Sequence, residues 1–198
     1  MNKPVADNLI VLASSSPYRR MLLERLHLPF KCHGADIDET PLQGESPVTL
    51  VSRLAQEKAA STSRIYPDAL IIGSDQVAVC GRHILNKPGD HEQARTQLQR
   101  LSGHNVRFHT GLCVYNGSTG SVQVDSITFK VKFRKLVPVE IERYLAAERP
   151  YACAGSFKAE GLGISLLTCM QGDDPTALIG LPLIRLCEML RNEGLILP

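Results

Sequence analysis

The chain has 198 residues, 43% of them hydrophobic and 21% charged, with a formal net charge of +2. This composition excludes disorder, a fibrous repeat and a coiled coil, and fits one globular domain over 1–198 with room for two lobes and a cleft between them. The small net charge argues against nucleic acid or an anionic membrane as partner, so any basic character that matters is local. The cysteines at 32, 80, 113, 153, 169 and 187 form no C-x-x-C pair and lie largely in apolar runs. They read as reduced thiols in a cytoplasmic protein. The early apolar run "LIVLA" is too short for a signal segment or a membrane span.

In chain order, "NLIVLA" (8–13) predicts a short buried strand. It leads into "SSSPYRRMLLERLHL" (14–28), a helix capped by Ser16 with Pro17 at its first position. A polar connection, "FKCHGADIDETPLQGES" (30–46), precedes a second serine-proline helix start at Ser46 and Pro47. Leu50, Val51, Leu54 and Ala55 form the apolar stripe of that helix, and its next member is Lys58. "DALIIGSDQVAVC" (68–80) predicts a strand that breaks at Gly73, Ser74 and Asp75. "GRHILNKPGD" (81–90) reads as a turn-rich connection to the helix "HEQARTQLQRLSG" (91–103). Two longer strands, 106–116 and 121–136, join through the hairpin turn "GSTG". A helix over 138–150, a glycine-rich loop over 154–164 and a single final helix over 177–194 complete an α/β chain with a mixed sheet.

Ligands of α/β proteins gather where strands end and helices begin, which directs attention to the polar residues there. In "SSSPYRR", free N–H groups at a helix start, serine hydroxyls and two guanidiniums make a phosphate grip, although the same letters describe a capped surface helix with solvated arginines. "DIDET" crowds Asp36, Asp38 and Glu39 into a loop that also reads as a solvated acidic turn. Asp75 reads equally as a turn residue and as a carboxylate that holds Mg²⁺ or takes a proton from water. Lys58 is either a snorkelling side chain or a buried cation, and Lys87 is biased to an extended conformation by Pro88. Together, Arg19, Arg20, Lys58 and Lys87 match a polyphosphate, and Asp75 with Glu39 matches its metal. No P-loop, dinucleotide fingerprint or G-x-S-x-G elbow is present.

The ordered blocks "LASSSPYRR", "DIDET", "RLAQEKA", "GSDQV", "NKP", "LSG", "HTG", "GSFKAEGLG" and "DDPTALIGLPL" resemble the Maf family of nucleoside triphosphate pyrophosphatases from Leu9 to about Leu190. The resemblance implies an elongated mixed sheet flanked by helices, as in ITPase-like folds. It also implies a cytoplasmic enzyme, frequent homodimers, and a divalent cation such as Mg²⁺, Mn²⁺ or Co²⁺. The implied reaction cleaves between the α- and β-phosphates to release a nucleoside monophosphate and pyrophosphate. Carried over by position, the catalytic set is Asp75, Lys58, Lys87 and Glu39, with Glu39 and Asp75 toward the metal. Ser14, Arg19 and Arg20 fall on phosphate positions, and Lys158 is a further phosphate candidate.

Substrate choice turns on Tyr18, Gln76 and Glu160. These resemble the Maf/YceF branch, which hydrolyses 7-methyl-GTP, with tyrosine where that branch commonly has tryptophan. Arginine, threonine and glutamine there would instead indicate dTTP or UTP. A cationic 7-methylguanine stacks on an aromatic face, and its N1–H and N2–H suit a carboxylate better than an amide. The competing expectations are a dTTP, UTP or broad-range pyrophosphatase and a non-hydrolysing nucleotide sensor linked to septum formation.

Overall fold

Strand β1 (Ile10–Leu12) ends where a run of serines begins, and Ser16 then caps helix α1 (Pro17–Glu24) by accepting from the Arg19 backbone N–H at 3.4 Å. The structure is a computed structural model that describes residues 9–198. The predicted strand start at Asn8 and the stretch preceding it lie outside the described residues. Strand β2 (Phe30–Cys32) follows, then an irregular loop, and Ser46 caps helix α2 (Pro47–Ser63) through the Thr49 N–H. Strand β3 (Leu70–Cys80) turns back as the short β4 (His83–Leu85) before helix α3 (His91–Leu101). The hairpin of β5 (Asn105–Asn116) and β6 (Val122–Phe133) leads to helix α4 (Pro138–Glu148). Strand β7 (Leu167–Gln171) and the helices α5 (Pro175–Ile179) and α6 (Leu183–Asn192) close the chain.

One mixed sheet in the order β2-β1-β3-β5-β6-β7 carries the fold, with β4 beside the end of β3. β1 runs parallel to β2 and β3, and every later pairing is antiparallel. The expected α/β class with an elongated mixed sheet is what forms. Among the described residues no helix is long and apolar enough to cross a membrane.

Two sequence expectations are corrected. Strand β3 does not break at Gly73, Ser74 and Asp75, because β5 pairs with it continuously from Leu70↔Asn116 to Cys80↔Val106. The glycine serves close packing instead: a Cβ at Gly73 would stand 2.0 Å from the Ala55 carbonyl oxygen of α2. The final helix is two helices, since Gly180 adopts φ 122 and Pro182 cannot donate a helical hydrogen bond. Strands β2, β4 and β7 were too short to read from pattern alone.

The apolar side chains divide along the long strands. Leu70, Ile72, Leu112 and Val114 pack with Leu22, Leu23 and the α6 residues Leu186 and Met189 at one end. Ala78, Val106, Phe108 and Phe133 pack with Leu98, Tyr144 and Phe157 at the other. Ser74, Asp75 and Gln76 lie on β3 between these two cores. Asp174 fixes the break between α5 and α6. Its buried carboxylate accepts from the Thr176 N–H at 2.9 Å and the Ile184 N–H at 2.8 Å, while Thr176 Oγ1 accepts from Leu183 N–H. Asp174→Ala is expected to cost about 2–3 kcal/mol by stranding these donors, read as a lower denaturation midpoint. An unchanged midpoint would mean that water replaces the lost acceptors.

Candidate active site

The site begins with the closeness of α2 to the sheet. Gly73 and Gly111, the latter the register partner of Asp75, leave room for the backbone of α2 to rest on β3 and β5. Strand alternation points Gly73, Asp75 and Val77 toward α2, and Ser74 and Gln76 toward the opposite face. Lys58, at its place in the buried stripe of α2, therefore meets Asp75.

The Lys58 ammonium lies 2.6 Å from Asp75 Oδ1 and 2.6 Å from Glu39 Oε1. Lys58 and Asp75 are buried, whereas the Glu39 side chain is 53% exposed. A buried charge is tolerated only when paired, so this cation on the core-facing stripe is explained by its two carboxylates. Partial burial raises the Glu39 pKa, but the Lys58 hydrogen bond and the charges of Lys58, Lys87 and Arg19 outweigh it and hold the group below its usual value. The loop bearing Glu39 is anchored by Arg53. That guanidinium bonds both Glu45 oxygens, at 2.8 and 2.9 Å, and the Thr40 carbonyl at 3.2 Å. Asp38 accepts from the Thr40 N–H within the turn and Asp36 has no assigned role, so of the "DIDET" acids only Glu39 reaches the site.

Arg19 is oriented by fixed acceptors. Its Nε donates to the Gly180 carbonyl at 2.9 Å and its Nη1 to Ser14 Oγ at 3.2 Å. Burial lowers the Arg19 pKa while Asp75 and Glu39 raise it; a guanidinium stays charged under such opposition, with N–H donors to spare for a ligand. On the opposite face of β3, Ser74 Oγ donates to the carbonyls of Gly111 and Gly180. Gln76 Nε2 donates to Thr110 Oγ1, Ala177 O and Leu178 O, so its amide clamps α5 to the sheet.

Two cavities meet here. The larger, about 420 Å³, is walled by Glu39, Lys58, Asp75, Asn86 and Lys87. The smaller, about 330 Å³, is walled by Tyr18, Cys153, Phe157, Ala159 and Glu160. Arg19, Gln76 and Lys87 line both. One charged compartment thus opens into one with an aromatic ring and a carboxylate. Burial pushes the Tyr18 hydroxyl up to about 12, which keeps it neutral, and the Cys153 thiol approaches it at 3.8 Å.

Two sequence candidates lie apart from this set. Arg20 is exposed and pairs with Glu24 at 3.0 Å on the solvent side of α1, one helical step from Arg19. Lys158 pairs with Glu148 at 2.9 Å and lines neither cavity. Ser74, Asn86, Cys153, Phe157 and the Gly180 carbonyl were not anticipated. Backbone groups and apolar wall residues carry no signal in residue type.

Among the described residues no group of three or more histidine, cysteine or acidic side chains is arranged for a metal ion. Glu39 and Asp75 alone face one another, across Lys58. Two carboxylates fit a hard cation that also takes ligands from a bound phosphate, and do not fit a closed protein cage.

The family model described as Maf-like protein matches residues 9–193. The chain belongs to the Maf family. This Maf-family chain is 58% identical over 189 residues to the 7-methyl-GTP pyrophosphatase of Pseudomonas syringae pv. tomato, covering 96% of this chain and 98% of that one. It is 54% identical over 195 residues to the 7-methyl-GTP pyrophosphatase of Nitrosococcus oceani, with 98% of each covered. A third relative of that name, from Pseudomonas putida, is 56% identical over 189 residues.

Proposed function

We propose that the chain is a nucleoside triphosphate pyrophosphatase that hydrolyses 7-methyl-GTP to 7-methyl-GMP and pyrophosphate. The observation that carries this reading is the Lys58 ammonium held by Asp75 and Glu39 at the wall of a cavity that opens onto Tyr18 and Glu160. The similarity to relatives named for that substrate supports it. Free thiols at all six cysteines fit a reducing, cytoplasmic setting.

In this reading the triphosphate lies in the charged compartment. Asp75 orients a water toward the α-phosphorus and accepts its proton, while Arg19, Lys58 and Lys87 offset the charge that grows on the departing pyrophosphate. Ser14 acts by fixing Arg19. Glu39 and Asp75 are the residues that would hold a divalent cation, which when bound supplies further charge neutralisation at the phosphates.

The base enters the smaller compartment. Methylation at N7 makes guanine cationic, and stacking on the Tyr18 ring contributes roughly 0.5–2 kcal/mol. Glu160 accepts from N1–H and N2–H together, whereas a glutamine offers one acceptor and a mismatched donor.

A panel of triphosphates with pyrophosphate release as readout tests the reading. Wild type is expected to prefer 7-methyl-GTP over GTP, dTTP and UTP. Glu160→Gln is expected to lower kcat/KM for 7-methyl-GTP roughly tenfold or more, the scale of a lost charge-assisted hydrogen bond. A wild-type preference for dTTP or UTP would overturn the substrate, and binding without pyrophosphate release from any member would overturn the reaction.

A further inference from the structure

Lys158 stands two residues from Glu160 yet is turned away from it. Its ammonium lies 2.9 Å from Glu148 Oε2, on the last turn of α4. Glu160 lines the smaller cavity and has no ion-pair or hydrogen-bond partner among the described residues. Glu160 is exposed and needs no protein partner, so which carboxylate the nearby Lys158 takes bears on the recognition of the base.

The answer lies on one face of α4. Tyr144 and Glu148 are four residues apart and face the same way. The Tyr144 hydroxyl accepts from the Lys158 N–H at 3.0 Å, and Glu148 Oε1 accepts from the Leu162 N–H at 2.6 Å. The short arc bearing Glu160 is therefore held at both ends by one helix. Gly161 rides directly on this carboxylate, since a Cβ there would stand 2.5 Å from Glu148 Oε1. The Glu148 side chain is 14% exposed and held below its usual pKa by the Leu162 N–H and then Lys158. It is a fixed anion within reach of the lysine. The charge of Glu160 acts on Lys158, so this ammonium is within electrostatic reach of the base compartment without lining it.

We infer that Glu148 is a positioning residue for base selection: it holds the Lys158 ammonium on its own carboxylate and so leaves Glu160 free to accept from a cationic base. This rests on the base-recognition reading above. Without Glu148, Lys158 turns to Glu160. It then occupies the acceptor that the base needs and places a cation beside a positively charged ring. The first weakens the hold on either guanine, and the second, by cancelling the negative charge of Glu160, disfavours the cationic methylated one in particular. A lysine that instead gripped phosphate would affect the two nucleotides alike.

The readout is the ratio of kcat/KM for 7-methyl-GTP to that for GTP, in which phosphate contacts and general damage to the fold cancel. Glu148→Gln keeps an oxygen acceptor for the Leu162 N–H and removes only the charge. It is expected to lower the ratio roughly tenfold, through KM for 7-methyl-GTP and not through kcat. Adding Lys158→Met is expected to restore the ratio to within about twofold of wild type, because the competing cation is gone. Should the single variant be unstable, the double variant carries the test by itself: a ratio well below wild type overturns the inference. An unchanged ratio in Glu148→Gln overturns it equally. A wild-type ratio at or below one would instead overturn the base reading on which it rests, a different result from either.

Discussion

Asp75→Asn is expected to abolish pyrophosphate release, by a factor of about 10²–10⁴ or more, while nucleotide binding persists. The substitution is nearly isosteric, and the backbone at this position is held in the middle of β3 by pairing with β5. Lys58 retains Glu39 as a charged partner at 2.6 Å, so the buried ammonium is not orphaned and the fold survives. What disappears is the carboxylate proposed to take the proton from water, together with one of the two carboxylates proposed for a divalent cation. Single-turnover pyrophosphate release, with nucleotide affinity measured by calorimetry, separates the two effects. Turnover at the wild-type rate would remove Asp75 from the chemistry.

Gly111→Ala is the substitution expected to damage the fold most. Its Cβ would stand 2.0 Å from the Val51 carbonyl oxygen, 2.4 Å from its carbon and 2.9 Å from the Ser52 nitrogen. All three are backbone atoms of α2, so no side-chain rotation relieves the clash and the helix must lift from the sheet. A cost of about 3 kcal/mol is at the upper end of ordinary overpacking. It corresponds to a melting temperature lower by roughly 6–12 °C for a chain of this size. Activity falls with it, because the lifted helix draws Lys58 away from Asp75, the register partner of the substituted glycine. A melting temperature within about 2 °C of wild type would show that α2 accommodates the methyl group, and that the close approach does not position Lys58.

The places of Asp75 and Gly111 in the fold show how a site of this kind is built. The pair Gly73 and Gly111 sets the height of α2 above the sheet, that height sets where the Lys58 ammonium lies, and the ammonium gathers Asp75 and Glu39. The turn held by Asp174 and Thr176 presents the Gly180 carbonyl to Arg19 and Ser74, tying the end of the chain to the junction of the two cavities. Strand alternation across β3 then gives neighbouring residues different tasks. Asp75 faces the charged compartment, and Gln76 spends its amide on α5.

Much of this was legible in the residues themselves. Serine followed by proline marked the starts of α1 and α2, because a hydroxyl can cap and proline's fixed φ suits the first turn. Lysine on an apolar stripe left a buried cation as one of two readings, and motif order along the chain pointed to the family. Tyr18 and Glu160 were set apart by the resemblance to the family, since by type alone they read equally as a packed helix ring and a solvated loop carboxylate. Other features depended on neighbours that lie far away in sequence. Whether Gly73 breaks a strand or admits a helix was decided by β5 and α2, and whether the last segment is one helix or two was decided at Gly180. Arg19 and Arg20 are the same letter, yet only the first meets Ser14 and Gly180, while the second points to solvent. Lys158 likewise carries the charge of a phosphate ligand, and its pairing with Glu148 was set by the docking of α4. Residue type determines what a side chain can do; which partner it finds is a matter of distance, and distance is set by the packing of the whole chain.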